Sequence, residues 1–119
     1  KKYASYINKA VVHCFTGTQS ELDDYLELNC FIGLTGWICD EKRNLELRKT
    51  IKNIPLSKLM IETDCPYLIP KNLAEKPSNN RNEPLYLNHI ANEISLLMEI
   101  DKNSLLKETY LNSINFFDN

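Results

Sequence analysis

"KLMIETDCPYLIP", residues 58–70, decides how the rest of the chain is read. Leu59, Met60 and Ile61 make a short apolar run of strand type. Glu62, Thr63 and Asp64 close it with two acids, and Pro66 and Pro70 bound the loop that follows. Alternation along a strand puts Met60, Glu62 and Asp64 on one face. Carboxylates at the end of a buried run need something to offset their charge: a metal, a substrate or a basic group.

Two similar units precede this stretch. "AVVHCF" (10–15) is β-branched and apolar, the pattern of a strand. Thr18 and Glu21 then have capping-box spacing, and Leu22, Tyr25 and Leu26 recur on a helix face. "CFIGLTG" (30–36) reads as a second strand ending in glycine. Asp40 suits the cap of a helix over 41–54, with Leu47, Ile51 and Ile54 on one stripe. With 58–64 as the third strand, the order is β-α-β-α-β. Crossovers of this length carry a helix and favour parallel strands.

Downstream, residues 65–83 form a long loop containing Pro66, Pro70 and Pro77. Loops of this length in compact domains are functional or disordered. Pro84 suits the first turn of a helix whose apolar face is Leu87, Ile90, Ala91, Ile94, Leu97 and Met98. His89 falls beside that face, on the solvated side. A last helix is expected over 104–117.

Composition narrows the class. The chain has 119 residues, 43% of them hydrophobic, enough for the core of one modest domain. A net charge of −2 gives no general attraction to nucleic acid or anionic membrane. No apolar run approaches the ~20 residues that span a bilayer, and the polar start lacks the apolar segment of a signal peptide. Cys14, Cys30, Cys39 and Cys65 match no zinc-binding spacing. They read as reduced, mostly buried thiols, which suits a cytoplasmic or nuclear protein.

His13 and Asp64 fall near the ends of two parallel strands, the edge where ligands gather in barrel and open α/β folds. An imidazole and a carboxylate together suit a divalent ion such as Zn²⁺ or Mn²⁺. On spacing alone a second reading stays open: a hydrogen-bonded core histidine, and an aspartate capping the next turn. Trp37, after Gly36, either covers the site or packs. Arg81 has the fork geometry to hold a phosphate, or is a surface arginine.

"HCFTGT" (13–18), "FIGLTG" (31–36), "IPLSKLMIETDCPYLIP" (54–70), "RNEP" (81–84) and "TYLN" (109–112) followed by Phe116 together resemble the C-terminal half of the TatD family of metal-dependent deoxyribonucleases. The resemblance implies an α/β fold, the C-terminal part of a (β/α)₈ TIM barrel of the amidohydrolase type, with DNA phosphodiesters as substrate. It implies a divalent metal ion (Mg, Mn or Zn), held by His13 and Asp64, with Asp64 also catalytic. Tyr67, Asn82 and Glu83 fall on site-shaping positions of the family, as does Glu62. With Arg81, the first three form the expected substrate-binding group.

The family's earlier His-x-His pair, glutamate and further histidine have no counterpart here, where His13 and His89 are the two histidines. The expectation is that residues 1–119 are the C-terminal portion of one barrel domain, with about three of eight strands and the N-terminal half absent. That half would come from the same polypeptide or a partner chain, or the chain would self-associate. Val11, Phe15 and Phe31 would then lack packing partners. Two other readings share the pattern: a related amide or ester hydrolase, and a non-catalytic half-barrel module.

Overall fold

The runs beginning at Val11, Phe31 and Leu59 pair as neighbours because each is short, apolar and followed by a chain long enough to return. The structure, a computed structural model, describes residues 7–118. Strands β1 (Val11–Val12), β2 (Phe31–Leu34) and β3 (Leu59–Ile61) lie parallel, in sequence order. Val11 stands opposite Phe31, and Ile32 opposite Leu59. Helix α1 (Gln19–Glu27) makes the first crossover and α2 (Leu45–Thr50) part of the second. After the long loop come α3 (Leu87–Met98) and α4 (Lys102–Phe117). Among the described residues no helix is long and apolar enough to cross a membrane.

Local chemistry sets the boundaries. Thr18 caps α1 in a reciprocal capping box with Glu21. Asp101 caps α4, whose first residue Lys102 lies two residues before the start read from the sequence, and accepts from the Ser104 N–H at 2.8 Å. Asp40 behaves differently. Its carboxylate accepts from the Lys42 and Arg43 N–H groups and closes a turn, so α2 begins only at Leu45. The Asn44 side chain before it donates to the Trp37 carbonyl instead of capping. Beyond Thr50 the chain tightens into a 3₁₀ turn, Ile51–Asn53, ahead of Pro55.

β1 is much shorter than the 10–15 run. At Cys14 the backbone takes a left-handed φ of 49°. The chain then rejoins β2 through the Phe15 N–H and the Gly33 carbonyl, 2.8 Å apart. The interruption turns His13 out of the sheet.

Ile32, Leu34 and Leu59 meet Ile90, Ile94 and Leu105 in a core where all six are fully buried. Each such side chain contributes about 1.5–3 kcal/mol relative to exposure, which holds α3 and α4 on the sheet. Polar bonds fix the register. Asn112 of α4 donates to the carbonyls of Leu56 and Leu59, both at 2.8 Å. Phe15 and Phe31, expected to lack partners, are buried. Phe15 sits edge-on to Tyr25 and Phe31 edge-on to Phe116, so α1 and α4 cover them. Cys30 and Cys39 are buried thiols, while Cys14 is half-buried and Cys65 exposed; all four are free.

Two stability effects should separate by pH. Asn112→Ala removes that donor from the buried Leu59 carbonyl and the part-buried Leu56 carbonyl, costing about 1–3 kcal/mol, so its urea midpoint should drop at every pH. Asp101 titrates below its usual value because the Ser104 N–H holds its charged form. That contribution is complete above the unfolded-state pKa, near 4, and is lost as pH falls through the lower folded value. Asp101→Asn should therefore flatten the acid limb of the Tm–pH curve, and an unchanged acid limb would contradict this.

Candidate active site

Three strand ends deliver the polar groups. β1 leads into His13 and Cys14, β2 into Thr35, and β3 into Glu62 and Asp64. His13 lies between the two acids, with Nδ1 2.7 Å from Glu62 Oε2 and Nε2 3.1 Å from Asp64 Oδ1. The carboxylates are mostly covered while the ring is 63% exposed, so the imidazole edge is open to whatever binds there. His13 and Asp64 thus share one space at the carboxyl ends of parallel strands.

Glu62 organises this corner. Its N–H extends the β3 ladder by donating to the Leu34 carbonyl at 2.8 Å. Its Oε2 accepts from the Cys14 N–H at 3.1 Å as well as facing His13. The carboxylate reaches across β2 over Gly33, where any Cβ would overlap it. The left-handed backbone at Cys14 costs about 1–3 kcal/mol in a non-glycine residue, and the Glu62 hydrogen bond offsets part of it. The Cys14 thiol lies 3.2 Å from Thr35 Oγ1. Burial chiefly, with the Asp64 and Glu62 charges adding, raises its pKa, so it stands at neutral pH as a thiol rather than a thiolate ligand.

The pair suits a divalent ion. Two ligands each about 2.1 Å from one ion stand roughly 3.0–3.4 Å apart at octahedral or tetrahedral angles, and Nε2 and Oδ1 are 3.1 Å apart. Nδ1 against a carboxylate is the usual support of a ligating histidine. The set is partial: among the described residues no three His, Cys, Asp or Glu groups are arranged to hold a metal ion.

The loop residues are placed unequally. Tyr67 is 75% exposed, and its N–H donates to the Asp64 carbonyl at 2.7 Å. Asn82 is buried: its N–H donates to the Pro66 carbonyl and its side chain to the Tyr67 carbonyl at 2.7 Å. Arg81 and Glu83 flank it, both exposed. The loop lies over the strand ends, since the Leu68 carbonyl packs where a side chain at Gly36 would be. His89 is half-buried rather than solvated, because Asn72 of the loop reaches it at 2.7 Å. Asn72 also donates to Glu93, which pairs with Arg48 at 2.8 Å. Cys14, Gly33 and Thr35 carry the corner without having drawn attention in the sequence. A glycine inside a strand, which marks a close approach, was the available signal.

The family model described as TatD related DNase matches residues 1–118. A protein of Rahnella sp. (strain Y9602) named 3′-5′ ssDNA/RNA exonuclease TatD is 52% identical over 96 residues, covering 81% of this chain and 36% of that protein. Its namesake in Erwinia tasmaniensis is 43% identical over 118 residues, covering 99% of this chain and 46% of its own length. The crystal structure of a TatD family hydrolase from Entamoeba histolytica superposes with a TM-score of 0.80 at 33% identity, covering 93% of this chain and 43% of that one. The chain spans less than half the length of each of these relatives.

Gly33→Ala should push the Glu62 carboxylate off β2 and release His13. The His13 ring ¹⁵N resonances should then move as they do in Glu62→Ala, with the far-UV CD spectrum retained. Wild-type ring resonances in folded Gly33→Ala would show that Glu62 does not orient the imidazole.

Proposed function

This chain belongs to the family of TatD-related DNases, an α/β fold of TIM-barrel type, and from that premise we propose that it supplies one corner of a metal-dependent phosphodiesterase site acting on DNA. The reading is carried by the His13–Asp64 pair at the strand ends, 3.1 Å apart and backed by Glu62. The relatives named as single-strand DNA/RNA exonucleases support the substrate class.

In this reading His13 donates its Nδ1–H to Glu62, which fixes the tautomer and leaves Nε2 as a ligand. Asp64 is the second ligand and lies within reach to accept a proton from the attacking water. A divalent ion (Mg, Mn or Zn) held there supplies the Lewis acid that polarises a phosphoryl oxygen and makes water acidic near neutral pH. Asn82 holds the loop over the site, and Tyr67, Arg81 and Glu83 are assigned to contact the nucleic-acid substrate.

Two protein ligands are fewer than the three usual for catalytic zinc. The remaining ligands are assigned to further barrel segments, in the same polypeptide or a partner chain, with self-association as the other route. Residues 1–119 are then one portion of a single barrel domain. The outer edges of β1 and β3, unpaired among the described residues, support this, as do the exposed Tyr110, Leu111, Ile114 and Phe117 of α4. Four free thiols suit a cytoplasmic or nuclear setting.

Asp64→Asn in the complete, metal-loaded enzyme should lower single-strand DNA cleavage by about 10²–10⁴-fold, with little change in Tm; near-normal rates would overturn the assignment. Calorimetric titration of the 119-residue chain with Mn²⁺ or Zn²⁺ should show only weak binding. Submicromolar binding at one site would overturn the shared-ligand reading.

A further inference from the structure

Just past Thr35 and just past Asp64 the chain opens a cleft of about 400 Å³ that the metal chemistry does not use. Trp37 and Arg43 line it from the segment after β2, and Tyr67 and Lys71 from the loop after β3. Asn80 completes it from the return limb. All of these groups are this chain's own.

The walls are held in place. Tyr67 is anchored at both ends of its peptide, its N–H on the Asp64 carbonyl and its carbonyl on the Asn82 amide. Its ring is nonetheless 75% exposed, an aromatic surface kept in water. Trp37 is half-buried against the core. Lys71 is exposed, and Arg43 is 72% exposed with its Nε 4.0 Å from Asp40 Oδ2, a long surface pair that leaves most of the guanidinium in water. Asp40, the acid in the wall, accepts from the backbone N–H groups of Lys42 and Arg43 through its other oxygen, Oδ1.

Two aromatics and two cations around a volume at the small end of ligand clefts define the ligand's chemistry. An apolar molecule has no use for the cations. A small inorganic anion has no use for the rings. A nucleotide uses both, since every base has a π-face and every linkage a phosphate. We infer that this cleft is a nucleotide subsite for single-stranded nucleic acid, one base lying against Tyr67 and Trp37 and its flanking phosphates meeting Arg43 and Lys71. The inference rests on the phosphodiesterase reading and extends it. The Tyr67–Asp64 hydrogen bond fixes the subsite next to the reacting end.

Trp37 is the sole tryptophan of the sequence, so its emission reports on the cleft directly. The experiment titrates the 119-residue chain, in EDTA to prevent cleavage, with a labelled thymidine oligonucleotide and an abasic strand of equal length. Trp37 emission and label anisotropy are read together. The oligonucleotide should quench Trp37 saturably and the abasic strand should not. Tyr67→Ala should weaken oligonucleotide binding about 10-fold, from the loss of one stacked base, and Tyr67→Phe should restore it. Arg43→Gln and Lys71→Gln should each reduce the log–log salt slope by about 0.7. If the oligonucleotide binds with Trp37 emission unchanged and Tyr67→Ala neutral, the subsite is wrong and the phosphodiesterase reading stands. If no strand binds at low salt, the subsite falls, and the nucleic-acid reading of this chain falls with it.

Discussion

The carboxylate of Glu62 lying across Gly33 is the constraint on which the rest of the site depends. β2 must lack a side chain at that point, because the acid occupies the space. Once there, one oxygen meets both the Cys14 N–H and His13 Nδ1. The first contact stabilises a backbone turn that β-strand geometry would not adopt. The second aims the imidazole's other nitrogen at Asp64. A single buried-side acid therefore links all three strands, and the His13–Asp64 pair is assembled by the sheet rather than by the loop above it.

The loop is fixed by a separate set of groups. Asn82 ties its return limb to the Pro66–Tyr67 turn, and Asn72 ties its middle to α3 through His89 and Glu93. Both asparagines spend their amides on protein partners. Exposed polar character comes from other loop residues, Tyr67, Lys71, Arg81 and Glu83 among them. A loop that is polar in composition is thus divided between residues that hold it and residues that face solvent.

Strand order and direction were legible because apolar runs and crossover lengths are local features, and parallel pairing follows from them. The meeting of His13 and Asp64 was legible for the same reason, as both sit at carboxyl ends. The break before α2 was not, because Asp40 serves equally well as a helix cap or a turn cap. The choice is made by Asn44, whose amide goes to the Trp37 carbonyl. Burial of Asn82 and His89 was also hidden, since each depends on a contact 15 or more residues away. Glu62 was placed on the correct face by alternation, but its partner across the sheet was a glycine, which announces space and not what fills it.

Two sites of unequal completeness stand side by side in this chain. On the proposed reading the His13–Asp64 pair at the strand ends calls for donors from elsewhere, whereas the cleft beside it is lined by two local segments. The difference follows from topology. On the proposed reading the metal's ligands come from several strand ends, whereas the cleft is lined by the segments after β2 and β3. Because Tyr67 donates to the Asp64 carbonyl, the spacing between these sites is set within four residues of chain. On the proposed reading, the nucleotide subsite and the carboxylate at the reacting end are therefore tied together within this chain.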